Sequence, residues 1–316
     1  MQWTVDEADV PILIRDYLRR KKGISAKLLA RLKRQPGGIM LNGRNVFVNV
    51  PLHAGDVLFA DCESSGEDSV IIPSGPAVQI IFEDDYLLVL NKPPFMPTHP
   101  SRNHLTDSLA NAVAQMARNA EKPFSFRPAS RLDRNTSGII LTAKNQYAAS
   151  LLSAMIRQDQ ITKRYLAILE PVGEEHLEES GFLECFQRRH TEKQIARTVV
   201  HEVLPDADYA LTSYRILQRS KKGALILVCA SPVTGRTHQL RIAFADAGCP
   251  VLGDGIYGTD SALISRQALH AFSLDFIHPV TGVPMHLEAP LFEDMKAVTD
   301  IFFESFDEHS TPRRFL

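Results

Sequence analysis

Three polar segments of this sequence combine residue types that could do chemistry on a bound ligand. The first, PASRLDRNTSGIILTAK (128–144), sets Asp133 and Arg134 ahead of Asn135-Thr136-Ser137-Gly138, a turn, and then the apolar strand IILTA. An acid poised before a turn serves as a cap about as often as it does anything else, so its type and place leave both roles open. The second, TKRYLAIL (162–169), puts the Tyr165 hydroxyl two residues beyond Lys163 at the start of a strand, where core packing is the ordinary use of tyrosine. The third, SPVTGRTHQLRIAFADAGCPVLGDGIYG (231–258), concentrates Arg236, His238, Gln239 and Arg241 near a glycine turn between apolar strands. So polar a run usually faces a ligand, and arginine suits phosphate or carboxylate.

Other chemistries lack their residues. The eleven histidines show no HExxH or comparable spacing, and the four cysteines, Cys62, Cys185, Cys229 and Cys249, form no CxxC pair or Cys/His cluster. No metal is expected on that basis. Neither GxxxxGK[ST] nor GxGxxG occurs, which counts against a nucleotide cofactor. Scattered cysteines suit a reducing compartment. There is no apolar run long enough to span a membrane, and the start, MQWTVDEADV, does not read as a secretory signal, so the cytoplasm is the expected location.

The elements that must position these residues read as α+β. The segment VQIIFEDDYLLVLNKPP predicts two strands around an acidic turn, and TDSLANAVAQMARN (106–119) a helix capped by Thr106. FLECFQRRH, ALTSYRILQR and GALILVCASP are short strands suited to a mixed, largely antiparallel sheet rather than to regular βαβ units. Residues 62–76, CESSGEDSVIIPSGP, have the composition of a linker, and the last dozen or so residues that of a loosely held tail. The expected division is therefore 1–61, a linker 62–76, a larger domain 77–300 and a tail 301–316.

The first unit carries the charge. Residues 15–44 hold ten Lys/Arg against Asp16, a net +9 in a chain whose total is −2. Two helices are expected there, IRDYLRRKK stopping at Gly23 and AKLLARLKRQ capped by Ser25. On the second, Lys27, Arg31 and Arg34 share a face opposite Leu28, Leu29 and Leu32; Arg15, Arg19 and Lys22 repeat that spacing on the first. Short strands follow at Ile39–Leu41, after an Asn42-Gly43 turn at Val46–Val48, and at Asp56–Phe59. A one-signed basic pair of helices with a small hairpin resembles the S-four RNA-binding module.

Taken together, RLDRNTSG, KRYLA and GRTHQLR with GCPVLGDGIYG resemble the RluA family of pseudouridine synthases, supported by EDDYLLVLNKPP, ALTSYRIL and LHAFSLDFIHPVTG over residues 78–292. The resemblance implies an α+β catalytic domain on a central mixed, mostly antiparallel sheet, preceded by the small S-four-like module. It implies that Asp133 is the essential carboxylate, that Tyr165 stacks on the target base and assists removal of the C5 proton, and that Arg241 pairs with Asp133. RNA would be held by Arg15, Arg19, Lys27, Arg31, Arg34, Lys92, Arg131, Lys163, Arg236, His238 and Gln239. No cofactor is implied, because isomerisation adds no group and changes no oxidation state. The partner is RNA, with ribosomal RNA favoured over transfer RNA, and the protein is expected to act as a monomer. Two positions depart from the family: Ser130 stands where many members have His, and Cys249 where GHP is frequent. The alternatives are a non-catalytic RNA-binding protein or a ribosome-assembly factor on the same scaffold.

Overall fold

The computed structural model describes residues 1–63, 71–173, 177–189, 196–221 and 224–304. The N-terminal residues build small sheets around two helical segments. Strands β1 (Gln2–Thr4), β3 (Ile39–Leu41), β4 (Arg44–Asn45) and β6 (Val57–Ala60) form one sheet in the order β1-β6-β3-β4, and β2 (Ile12–Leu13) pairs with β5 (Pro51–Leu52). The first helical segment is a single α-turn, α1 (Ile14–Asp16), continued with π-type hydrogen bonds over Tyr17–Lys21. The second, α2 (Ala26–Leu32), is capped by Ser25, whose hydroxyl accepts from the Leu28 amide. Leu28, Leu29 and Leu32 turn inward as their spacing requires. The expected strand at Val46–Val48 does not form; the hairpin's second strand ends at Asn45. Val46 and Val48 still pack partly into the core while Phe47 is 83% exposed, so the alternation outlasts the pairing, whose last bond runs from the Val46 amide to the Ile39 carbonyl at 3.4 Å.

This unit is docked on the rest of the chain. The Ser25 amide donates to Ser150 Oγ at 2.7 Å, Trp3 meets Tyr147 edge to face, and Tyr147 and Leu151 complete its apolar core. Residues 64–70 of the expected linker lie outside the described residues, but its end is anchored: Ser74 donates to the carbonyls of Asn111 and Thr106.

A large mixed sheet organises the remainder. Its strands are β7 (Gln79–Glu83), β8 (Leu87–Lys92), β9 (Arg127–Pro128), β10 (Ser137–Ala143), β11 (Thr162–Leu169), β12 (Ser180–Arg189), β13 (Arg197–Val200), β14 (Asp208–Arg219), β15 (Ile226–Pro232), β16 (Leu269–Ile277) and β17 (Pro284–Glu288). The order is β13-β12-β14-β15-β11-β16-β10-β8-β7, with β17 on β16 and β9 on β10. Every pairing is antiparallel except β10 with β16. Helices α3 (Leu109–Asn119) and α4 (Gln146–Arg157) cover the half around β8 and β10, and α5 (Gln239–Asp246) and α6 (Glu293–Phe302) the half around β11 and β15. The cap of α3 is Ser108 rather than Thr106, in a reciprocal capping box with Asn111. Helix α6 runs two residues into the expected tail; residues 305–316 lie outside the described ones.

The parallel junction is tight. Strand β10 begins at Ser137, so the expected turn glycine lies inside the strand: Gly138 has φ +111°, and a Cβ there would lie 2.2 Å from the Ala271 carbonyl oxygen. Beside it, His270 is fully buried; its Nε2 faces the Ala289 carbonyl at 3.0 Å and its Nδ1 the Ser137 hydroxyl at 2.9 Å. A carbonyl only accepts, so Nε2 carries the proton and Nδ1 accepts from Ser137. Burial pushes this imidazole's pKa down to about 4. All four cysteines are buried. Burial pushes the thiols of Cys62 and Cys185 up to about 11 and that of Cys229 to about 12.

Candidate active site

The loop that carries Asp133 leads into β10 and is held from below at successive residues. Thr98 Oγ1 donates to the Leu132 carbonyl and accepts from the Leu132 amide. Lys92 Nζ donates to the carbonyls of Pro93, Met96 and Arg134 at 2.8, 2.8 and 3.1 Å. Arg266, also fully buried, grips Asp294 with two nitrogens and reaches the Asn135 carbonyl at 3.2 Å; Gln267 donates to Thr136 Oγ1. Lys92 is therefore no phosphate contact: it has no solvent exposure and its three N–H bonds are consumed by the protein. Burial, then the neighbouring charge of Arg266, pulls its pKa down to about 7, against which the three carbonyls favour the ammonium.

Arg241 projects from α5, a helix where the sequence suggested only a polar run between strands. Its guanidinium is 4% exposed and grips Asp254, itself 1% exposed, through Nε to Oδ2 at 2.6 Å and Nη2 to Oδ1 at 2.7 Å. Asp254 Oδ1 also accepts from the amides of Ile256 and Tyr257, and the guanidinium carbon lies 5.1 Å from the Tyr257 ring centroid. With the fork fixed in this way, Nη1 is aimed at Asp133 Oδ2, 3.1 Å away. Burial alone lowers the pKa of Arg241, but Asp254 and then Asp133 outweigh it and the net shift is upward. Asp133 stays 28% exposed, and its Oδ1 has no hydrogen-bond partner among the described residues. An ionised carboxylate with one oxygen tethered and one open can act as a nucleophile or a base.

Tyr165 sits on β11 where the pairing with β16 shifts register between Arg164 and Tyr165, an irregularity of the kind that re-aims side chains. It packs against both apolar cores and lines a pocket with Ser130, Lys163, Ala271 and Leu274. Burial, then the charge of Asp133, pushes its hydroxyl well above the usual phenol range, so the neutral form persists.

His238 caps α5 in the left-handed conformation, φ 56°. Its Nδ1 lies 2.8 Å from the Tyr257 hydroxyl and its Nε2 3.7 Å from Asp133 Oδ2, which makes this expected RNA contact a neighbour of the carboxylate. Burial lowers its pKa, partly offset by Asp133. Gln239 is buried: its amide donates to the Leu211 carbonyl and Thr212 hydroxyl, and its oxygen accepts from the Arg236 amide and Thr234 hydroxyl. It staples the glycine turn to β14 and has nothing left to offer RNA.

Among the other expected RNA contacts, Lys163 is half-buried in the Tyr165 pocket and Arg131 is exposed; neither has an ion pair among the described residues. Arg236 is exposed but bonds the Tyr209 carbonyl and pairs with Asp208. In the N-terminal unit Lys27 and Arg34 are exposed without ion pairs among the described residues, Arg15 pairs with Asp16, and Arg19 donates to the Ile24 carbonyl. Arg31 does not join them: its guanidinium bonds Gln35 and the Asp61 carbonyl, tying α2 to the end of β6.

Asp254, Tyr257, Arg266 and Thr98 went unnoticed in the sequence. Asp254 had a signal, since a buried arginine demands a buried acid and GDGIYG supplies one nearby. Among the described residues no group of His, Cys, Asp and Glu is placed to hold a metal ion, and no helix is long and apolar enough to cross a membrane.

Known proteins are similar to this chain in sequence and in fold. The chain is 34% identical over 273 residues to the uncharacterized RNA pseudouridine synthase YjbO of Bacillus subtilis, covering 86% of this chain and 93% of that protein. It is 33% identical over 230 residues to ribosomal large subunit pseudouridine synthase D of Nitrosomonas europaea, covering 70% and 64%. The structure of human RNA pseudouridylate synthase domain containing 1 superposes with a TM-score of 0.54 at 24% identity, over 74% of this chain and 96% of that one, a likeness of fold. The model of the RNA pseudouridylate synthase family matches residues 86–246, a stretch that contains Asp133, Tyr165 and Arg241, and the chain belongs to that family.

Proposed function

We propose that this chain isomerises a specific uridine to pseudouridine in structured RNA, with large-subunit ribosomal RNA as the favoured substrate. The observation that carries the reading is the Arg241 fork, fixed by Asp254, with its remaining nitrogen on Asp133 Oδ2 while Oδ1 stays open. In the reaction the N1–C1′ bond breaks, the uracil turns, C5 bonds to C1′, the C5 proton leaves and N1 gains one. Asp133 is the anionic group at the sugar. Tyr165 acts as a neutral phenol: its ring stacks on the base, and it takes the C5 proton only by passing on its own.

A stacked uridine must first leave its helix, at a cost of a few kcal/mol. Stacking on Tyr165 returns about 1–3 kcal/mol, and phosphate contacts supply more. Lys163, Arg131 and Arg236 are suited to such contacts. So are Lys27, Arg34, Arg15 and Arg19 on residues 1–61, which we read as an S-four-like module joined by 62–76 to a catalytic domain, 77–300, with a tail beyond. Ribosomal RNA is favoured because relatives named ribosomal large subunit pseudouridine synthase D match over most of this chain. A cytoplasmic monomer fits this role.

The test is release of tritium from RNA labelled at uracil C5, with wild type against Asp133→Asn. Release by wild type and its loss in the variant support the reading. Tight RNA binding with no release from ribosomal or transfer RNA would sink it in favour of a binding scaffold.

A further inference from the structure

The turn after β8 holds an aromatic residue where the backbone disfavours one. Phe95 has φ +63°, the left-handed region in which glycine or asparagine is the strain-free occupant of a turn. Its side chain gains no burial in exchange, for Phe95 is 42% exposed while Met96 beside it is buried. A strained, solvent-facing phenylalanine is costly twice over, and strain of this kind gathers at functional sites. The turn is also bolted to the catalytic loop. The carbonyls of Met96 and Arg134 lie on one nitrogen, Lys92 Nζ, and Thr98 holds the backbone of Leu132. Phe95 is thus carried on the same rigid base as Asp133.

The surroundings say what it would meet. Arg131 and Arg134 are exposed on the neighbouring loop and His99 is exposed on its own; burial, then the charge of Arg131, holds the His99 imidazole below its usual range. An exposed ring on a turn that neighbours an arginine-bearing loop suits a flat, polyanionic partner.

We propose that Phe95 is a stacking platform for an unpaired base of the substrate RNA, next to the uridine that Asp133 acts on. This rests on the RNA-modifying reading above. When the target uridine swings out, the base beside it loses its stacking neighbour, and the Phe95 ring supplies a replacement face.

The test uses the full-length Asp133→Asn protein, which binds without turnover, and RNA stem-loops carrying 2-aminopurine at positions flanking a loop uridine. Affinity and fluorescence are measured for Phe95 and for Phe95→Ala, Phe95→Gly, Phe95→Tyr and Phe95→Trp in that background. Loss of affinity of about 5- to 150-fold in the Ala and Gly variants, with quenching lost and both restored by Tyr and Trp, is the expected result. Phe95→Gly relieves the backbone strain, so a melting temperature that does not fall separates stacking from folding. Affinity unchanged within twofold in Phe95→Ala, or lost equally in Tyr and Trp, would overturn the proposal. Tritium release by the otherwise wild-type enzyme is followed separately: its absence counts against the enzymatic reading, whereas unaltered binding by Phe95→Ala counts against the platform.

Discussion

Cations are used in opposite ways in two regions of this molecule. Around the loop at 131–136, Lys92, Arg241 and Arg266 are buried and their N–H groups go to carbonyls and carboxylates of the chain itself. On the N-terminal unit, Lys27 and Arg34 stand in solvent with no ion pair among the described residues. Burying a cation is favourable only when its hydrogen bonds are met, and once met they fix geometry. Exposed cations fix nothing, but each remains available to a phosphate. The centre therefore reads as a place where position matters and the periphery as a place where charge matters; Arg31, tied to Gln35 and Asp61, belongs to the first kind although it lies in the second region.

The largest effect expected from this contrast is at the one open oxygen. Asp133→Asn should cut tritium release at least about 10⁴-fold, roughly 5.5 kcal/mol of transition-state stabilisation, with an unchanged melting temperature. A parallel loss of stability would mean that Asp133 belongs to the scaffold. Next comes Arg241→Met, which leaves Asp254 buried without its partner. A loss of about 3–5 kcal/mol in urea unfolding is expected, and a loss below about 1 kcal/mol would break the claim that the centre is built on satisfied charge.

A third effect follows from His270. The unfolded imidazole takes a proton near its ordinary pKa, while the folded one refuses it until about 4, so acid favours the unfolded state across that window. Stability should be fully present above about pH 6.5 and fall as pH drops toward 4, by up to about 3 kcal/mol from this group. His270→Gln should flatten that slope in pH-dependent denaturation; an unaltered slope would place the acid sensitivity elsewhere.

The smallest effects sharpen the comparison at the periphery. Lys27→Ala and Arg34→Ala should leave stability within about 0.5 kcal/mol and each reduce the salt dependence of RNA binding by about 0.7–0.9 in the log–log slope. Arg31→Ala should do the reverse, costing about 1–3 kcal/mol of stability with little change in slope. Equal behaviour of all three in a salt titration would erase the distinction.

Much of the site was legible because its chemistry is local. Asp133, Tyr165 and Arg241 each fall in a dense motif, and the fold joins two of them at 3.1 Å. The supports were not legible, because a buried cation's partners are chosen by topology: Arg266 answers a carbonyl 131 residues away. Lys92 and Gln239 looked like RNA contacts for the same reason, as polarity in a sequence does not say whether the fold will cover it. The hairpin's side-chain alternation outlasts its backbone pairing, and α5 is hidden in the sequence because its buried face carries the polar Gln239 and Arg241. The mixed, largely antiparallel sheet was legible from short strands; its single parallel pair depends on a close approach at Gly138 that no periodicity announces.

The four buried thiols offer a timepiece for how the molecule opens. Reagents attack the thiolate; burial denies them access to all four thiols and suppresses ionisation of Cys62, Cys185 and Cys229. Cys62 lies in the N-terminal core, Cys229 and Cys249 in the core beneath α5, and Cys185 in a small outer cluster. The order in which they become reactive under native conditions would rank the local opening free energies of these three regions, from a single labelling experiment without denaturant.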